Sequence, residues 1–299
     1  MRSTRLALVL SAAAVLAAAG CSSTSDSADP GASGDRPVVV TDMYPTTFAV
    51  RSVAGDAVDI VQLAPPGVEP HDYELTPKQV QQVADADLVA YLPGMIPAVA
   101  DAVEQEAAGR SVDVSTGVTL LAAHEHAEEE GEEHADGDPH IWLSPANMAV
   151  MGRNVATALT DAGIPADAGA LDTQMATLQS EMTSALSSCA VDTLVVSHEA
   201  FGYHAAMLGY TQVGISGISP DAEPSPATMA EIADLVKEKG ITTIYHEALL
   251  SPAAAEAIAS ETGAASALLD PIEGNTDQAG YPAIMRANTE TLRTGQNCS

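Results

Sequence analysis

Short apolar runs alternate along the chain with longer segments of helical periodicity. The runs are four to six residues long and rich in β-branched residues, which is typical of buried strands. This alternation favours parallel strands joined by crossover helices. The predicted strands are residues 38–41, 58–63, 87–91 and 111–114, followed by 193–197, 211–215, 242–245 and 265–269. The helices predicted between them include 77–86, 96–108, 228–239 and 253–262.

A different kind of segment separates the two halves of this pattern. Five apolar residues recur there at spacings of four, three, four and four, which places them on one stripe of an α-helix: Leu171, Met175, Leu178, Met182 and Leu186. A helix over residues 166–188 would be about 35 Å long. It is either a stiff strut between two lobes or an ordinary amphipathic helix of one lobe, and the pattern alone leaves both open.

We therefore predict an α/β protein with two parallel-sheet lobes, at residues 38–165 and 189–299, joined by the helix at 166–188. The 299 residues are enough for two separate cores, and an apolar content of 46% excludes a disordered protein. The 41 acidic and 11 basic side chains give a net charge of −30. Such a surface repels nucleic acid and attracts cations, so we expect no nucleic-acid partner.

The first 20 residues are predicted to be a secretory signal. Two arginines precede an apolar core at residues 6–16, which is too short for a comfortable membrane span. The segment ends in Ala18-Ala19-Gly20-Cys21 and resembles the bacterial lipoprotein signal, in which the cysteine is lipidated. Ordinary secretion is the alternative. Residues 21–37 have the composition of a flexible tether, so we expect a protein anchored by lipid at Cys21 on the outer face of the cell membrane.

Two cysteines remain after Cys21, namely Cys189 and Cys298. An even remainder in an oxidising exterior suggests a disulfide, and a pair of free thiols is the alternative.

Four side chains are candidate metal ligands because of where they lie. His71, His198 and Asp270 each follow a predicted strand closely, and His140 lies in DPHIWLSP, ahead of a predicted helix. Ligands of open α/β sheets bind outside the carboxyl ends of the strands. A lone histidine in such a place is usually just a polar residue of a loop. Three imidazoles and a carboxylate, however, suit Zn²⁺, which prefers four ligands in a tetrahedron.

Five motifs in order along the chain add a resemblance to a known family. They are PPGVEPHDYELTP, DPHIWLSP, SHEAFGYHA, ISGISPDAEPSPATMAEIADLV and LLDPIEG, and they resemble the signatures of the zinc/manganese ABC-transporter substrate-binding lipoproteins. The resemblance covers residues 38 to about 292. It implies two α/β lobes joined by a long rigid helix, one metal in the cleft between the lobes, and delivery of that metal to the membrane permease of an ABC importer. We expect a monomer.

The same resemblance carries the family's ligand positions onto His71, His140, His198 and Asp270. A histidine at the third position, here His198, is typical of the zinc-binding members, where the manganese-binding members have glutamate. The resemblance therefore implies a high-affinity zinc-uptake protein whose transported ligand is Zn²⁺.

Three further histidines, His124, His126 and His134, lie in a segment at 123–138 that is rich in glutamate and glycine and has no apolar period. This composition predicts a mobile loop. Its histidines are either part of a solvated charge run or a weak, multisite zinc trap. Zinc-type members of the family often carry such a loop, which favours the second interpretation.

Two other functions compete with zinc capture. A manganese- or iron-binding protein of the same family is the first, although imidazole-rich sites favour Zn²⁺ over Mn²⁺. A secreted zinc hydrolase is the second, and it needs an open coordination position for water. If Asp270 completes the site, no such position remains, so we expect a protein that is not an enzyme.

Overall fold

The computed structural model describes residues 36–122, 137–220, 223–274 and 280–299. The predicted signal, Cys21 and most of the tether lie outside these residues, and so do His124, His126 and His134. No helix in the described part of the chain is both long enough and apolar enough to span a bilayer.

Two four-stranded parallel sheets form the framework of the chain, and both have the same order of strands. The first sheet has the order β2-β1-β3-β4 and the second the order β6-β5-β7-β8. The predicted fold class, two α/β lobes with parallel sheets, is therefore confirmed. The strands are β1 (Val38–Thr41), β2 (Asp59–Gln62), β3 (Leu88–Tyr91), β4 (Ser111–Asp113), β5 (Thr193–Val196), β6 (Thr211–Gly214), β7 (Thr243–His246) and β8 (Ala265–Leu268).

The described residues contain nine α-helices, several of which begin where the sequence provides a cap. Thr76 forms a capping box with Gln79 and is followed by a proline. Ser144 and Ser225 cap two further helices by accepting a backbone amide of the first turn, and each is also followed by a proline. The helices are α1 (Tyr44–Ala54), α2 (Pro77–Asp85), α3 (Pro97–Glu106), α4 (Pro145–Asp161), α5 (Gly169–Ala185), α6 (Gly202–Leu208), α7 (Pro226–Lys239), α8 (Ala253–Thr262) and α9 (Tyr281–Gly295).

Helix α5 is the segment predicted at 166–188, and it is shorter than predicted. Its 17 residues span about 26 Å. The helix begins late because Asp167 is fixed in a turn, where its carboxylate accepts a hydrogen bond from the Gly169 amide at 2.9 Å. The apolar stripe is buried as predicted. Helix α5 packs against α1 and α4, which flank the first sheet, and against α9, which contacts β8 of the second.

A disulfide closes the C-terminal end of the fold, as predicted. Cys189 and Cys298 are bonded across 109 sequence steps and also pair as an isolated β-bridge. The amide of Ala190 donates to the Gln296 carbonyl beside it at 3.0 Å. The bond therefore fastens the end of the chain next to the start of β5.

Candidate metal centre

Four buried side chains converge between the two sheets: His71, His140, His198 and Glu273. Each offers one ligand atom, and these four atoms lie within 4.8 Å of one another. The side chains are almost inaccessible, with at most 8% of any residue exposed. Buried polar groups need partners, so a closed cluster of three imidazoles and a carboxylate calls for a cation.

Each lobe contributes two of these side chains from loops near its sheet. In the first lobe, His71 lies in the loop between β2 and α2, and His140 immediately precedes a short 3₁₀-helix that leads into α4. In the second lobe, His198 follows β5 and Glu273 lies in the loop after β8. The topology thus places the centre beyond the carboxyl ends of β2, β5 and β8, as the strand-end argument predicts.

The spacing of the donor atoms is close to that of a tetrahedral zinc site. Nε2 of His140 lies 3.3 Å from Nε2 of His71 and 3.3 Å from Nε2 of His198. Oε1 of Glu273 lies 3.2, 3.5 and 3.9 Å from the Nε2 atoms of His140, His198 and His71 respectively. Four donors placed about 2.0–2.1 Å from Zn²⁺ in a tetrahedron are about 3.3–3.4 Å apart. The separations that involve His140 and the one between His198 and Glu273 fit this spacing, whereas the 3.9 Å between His71 and Glu273 exceeds it.

Two of the imidazoles are held from behind by carboxylates. Nδ1 of His140 lies 2.8 Å from Oδ1 of Asp138, and Nδ1 of His198 lies 2.7 Å from Oε2 of Glu247. Both carboxylates are buried. A carboxylate in this position keeps the proton on Nδ1 and directs the lone pair of Nε2 into the centre. The unprotonated Nε2 atoms then point at one another, which is unfavourable unless a positive charge lies between them.

The electrostatics of the centre favour that positive charge. Burial alone would lower the pKa of His140 and His198, but their carboxylate neighbours, Glu273 among them, raise both values above the ordinary one. Burial would raise the pKa of Glu273, but the two imidazoles lower it instead. Burial and the charge of Glu273 raise the pKa of nearby Glu69 to about 7. Protons therefore occupy the centre readily, and a metal ion must displace them.

Comparison with known proteins places this chain in a family. The family model described as ZnuA, zinc-uptake complex component A periplasmic, matches residues 39–295. The chain belongs to this family. The resemblance drawn from the motifs is therefore confirmed, and the family is a component of a transport system rather than a group of enzymes.

Relatives of this ZnuA-family chain include two curated proteins of different length. The zinc-binding protein AdcA of Streptococcus pyogenes serotype M1 is 34% identical over 284 residues, which cover 85% of this chain and 55% of AdcA. This chain thus spans about half the length of its AdcA relatives. The high-affinity zinc uptake system protein ZnuA of Bacillus subtilis (strain 168) is 32% identical over an alignment of 303 positions, and the alignment covers 93% of both chains.

A solved structure has the same fold. The Zn(II)-bound AdcA of Streptococcus pneumoniae superposes with a TM-score of 0.73 at 29% identity, covering 88% of this chain and 58% of AdcA.

In this ZnuA-family chain the carboxylate at the centre is that of Glu273. Asp270 was predicted there from its position directly after β8, but among the described residues it is not one of the side chains that meet. Its Oδ1 instead accepts a hydrogen bond from the Ile272 amide at 2.7 Å. Glu273 belongs to the same LLDPIEG motif, three residues further along. A position after a strand end identifies the LLDPIEG motif. It does not determine whether the carboxylate of Asp270 or that of Glu273 turns toward the histidines.

Two histidines outside the centre have other surroundings. His204 lies on α6 and is completely buried, and burial lowers its pKa to about 4. His246 ends β7, where Nδ1 lies 2.9 Å from the hydroxyl of Ser266. Neither belongs to the group of converging donors in the described part of the chain.

Proposed function

We propose that this protein captures Zn²⁺ outside the cytoplasm and delivers it to the membrane permease of an ABC importer. One observation carries the proposal: three imidazoles and one carboxylate, all buried, converge with the spacing of a tetrahedral zinc site. The names of the relatives, zinc-binding protein and zinc uptake system protein, support the same cargo.

The proposed ligands are His71, His140, His198 and Glu273, with Glu273 in the position first predicted for Asp270. The donor chemistry favours zinc over manganese. Imidazole nitrogen suits Zn²⁺, whereas Mn²⁺ prefers oxygen ligands, and only one of the four donors here is oxygen.

The same arrangement argues for a carrier and against a hydrolase. A catalytic zinc keeps one coordination position for water, whereas four protein donors fill a tetrahedron. The burial of all four side chains also leaves little room for a substrate. We therefore propose that the ion is cargo and that the protein is not an enzyme.

Two further parts of the proposal concern the localisation of the protein. The signal at residues 1–20 is proposed to direct export, and Cys21 to carry a lipid that anchors a monomer to the outer face of the membrane. Mass spectrometry of the membrane fraction tests this directly, because lipidation adds a diacylglyceryl mass at Cys21 and Cys21→Ala should release the protein into the medium.

Metal competition tests the cargo. Metal-free protein is offered Zn²⁺ and Mn²⁺ at equal concentration, and crystals are measured on both sides of the zinc absorption edge. We expect one Zn²⁺ per chain, at about 2.0–2.2 Å from the four donors. Preferential binding of Mn²⁺, or a zinc signal elsewhere, contradicts the proposal. Growth under zinc limitation tests delivery. We expect deletion of the gene to abolish this growth, the wild-type gene to restore it, and a Glu273→Ala variant not to restore it.

A further inference from the structure

The residue before Glu273 has an unusual backbone conformation. Ile272 has a φ of 65°, in the left-handed region that glycine prefers. For a β-branched residue this conformation is a genuine outlier, because the branched side chain crowds the backbone. Ile272 is also completely buried, so its side chain is fixed by packing. Such a conformation persists only where the surroundings impose it, and outliers of this kind concentrate at functional sites.

Asp270 and Asn288 bind the backbone around Ile272 from within the second lobe. The carboxylate of Asp270 accepts the Ile272 amide at 2.7 Å, which closes a tight turn over the intervening residue. Asp270 is itself held at both backbone groups by Asn288 of α9. Its amide donates to Oδ1 of Asn288 at 3.0 Å, and its carbonyl accepts from Nδ2 at 2.6 Å. Asn288 is 3% exposed, so this pairing is shielded from water.

The first lobe binds the same segment from the other side. The indole Nε1 of Trp142 donates to the Pro271 carbonyl at 2.7 Å. The amide of Gly67 donates to the Gly274 carbonyl at 2.9 Å. Together with the contacts of Asp270, these bonds fix the backbone on both sides of Glu273.

We propose that Asp270 and Asn288 are positioning residues for metal binding. They hold Ile272 in the left-handed conformation and thereby turn the Glu273 carboxylate toward the three histidines. The direction of that carboxylate is thus set before the ion arrives, so binding does not bear the entropy of ordering it. This inference rests on the proposed function, in which Glu273 is a ligand.

Two substitutions at Asp270 separate positioning from direct ligation. Asp270→Asn keeps an oxygen acceptor for the Ile272 amide but removes the anionic oxygens, whereas Asp270→Ala removes both. We expect Asp270→Asn to bind zinc almost as tightly as wild type. Asp270→Ala should bind about tenfold or more weakly, the usual cost of losing an outer partner of a ligand. Asp172→Ala is the matched control, because it removes a partly exposed carboxylate that pairs with Arg153 and is not among the converging donors.

A double-mutant cycle with Glu273→Gln then shows through which residue Asp270 acts. Affinities are measured by competition with a chromophoric chelator, and folding of each metal-free variant by thermal melting. If Asp270 acts through Glu273, Asp270→Ala adds no further loss to Glu273→Gln. Slow hydrogen exchange of the Ile272 amide, retained in Asp270→Asn and lost in Asp270→Ala, is the accompanying structural signature.

The outcomes distinguish a failure of the ligand assignment from a failure of the positioning role. If Glu273→Gln binds zinc as tightly as wild type, the ligand assignment in the proposed function fails. If Glu273→Gln binds zinc more weakly than wild type, two results overturn the positioning role. The first is that Asp270→Asn loses as much zinc affinity as Asp270→Ala. The second is that Asp270→Ala costs the same affinity in the wild-type and the Glu273→Gln protein. If Asp270→Ala does not fold, Asp270→Asn decides alone, since positioning requires it to retain affinity and direct ligation requires it to lose it.

Discussion

Glu247 offers a test of how the centre is built, because it contacts a proposed ligand without facing the ion. Its carboxylate is 3% exposed and lies 2.7 Å from Nδ1 of His198. The same carboxylate accepts the Ser197 hydroxyl at 2.5 Å, which fixes its own orientation. Glu247→Leu removes the acceptor at similar volume, and Glu247→Gln keeps a neutral acceptor in its place.

The size of the effect follows from these contacts. Glu247→Leu leaves the Nδ1–H of buried His198 without an acceptor, which costs about 1–3 kcal/mol. Losses of outer carboxylates weaken metal binding by about 10- to 100-fold, or about 1.4–2.7 kcal/mol, and this is the loss of zinc affinity that we expect. A neutral acceptor gives roughly half the strength of a charged one, so Glu247→Gln should lose about three- to tenfold.

The measurement is zinc affinity at pH 8 by chelator competition, with thermal melting of the metal-free proteins beside it. Glu290→Gln, which alters a surface pair with Arg293, is the control and should bind as wild type does. Wild-type affinity in a folded Glu247→Leu protein would refute the view that the carboxylate orients His198. Equal losses in the Leu and Gln variants would show that shape, rather than the hydrogen bond, matters there.

Four further predictions follow from the same structure. Carboxylates raise the pKa of His140 and His198, so protons compete with zinc for these imidazoles. The apparent zinc affinity, measured by chelator competition, should therefore fall as pH drops from 8 to 5. An affinity that does not change over this pH range contradicts the prediction. Removing residues 123–136 should leave the tight site intact and abolish a weaker class of sites in calorimetry; identical isotherms would mean that His124, His126 and His134 form only a charge run. Replacing Cys189 and Cys298 by serine should lower the free energy of unfolding by about 2–5 kcal/mol in denaturant titrations, and an unchanged midpoint argues against a stabilising bond. His204 has its pKa lowered to about 4 in the fold, so the unfolded chain binds its proton first as pH falls below about 6.5. The metal-free protein should therefore lose up to about 3 kcal/mol of stability between pH 6.5 and 4, and His204→Leu should lose correspondingly less over that range.

The central strands β1, β3, β5 and β7 were predictable because burial on both faces produces a short apolar run, which the sequence displays directly. The run 38–41 corresponds to β1 residue for residue, and helix α8 has the predicted bounds. The beginnings of α2 and α4 have equally local causes, because a threonine or serine cap followed by a proline stands at each.

The fourth proposed ligand depends on information that local patterns do not contain. Asp270 directly follows β8, and only the left-handed turn at Ile272 brings Glu273 inward instead. That conformation depends on Asn288, which lies 18 residues further along the chain. The orienting role of Asp138 was hidden for a similar reason. Its carboxylate closes an acidic run in the sequence, and only the fold shows that it contacts His140.

The base of the segment 123–136 has a consequence for how such proteins can vary. The Asp138 amide donates to the Leu121 carbonyl at 2.8 Å, so the chain enters and leaves this segment at one point. The Tyr203 hydroxyl fastens both sides of that point, accepting from the Leu121 amide at 3.0 Å and donating to the Asp138 carbonyl at 2.7 Å. The entropy of closing a loop rises only slowly with its length, so whatever is inserted there has little influence on the neighbouring fold. A histidine tract, a shorter turn or an engineered reporter peptide can therefore replace one another at this junction. The positions of the buried ligands stay the same in each case.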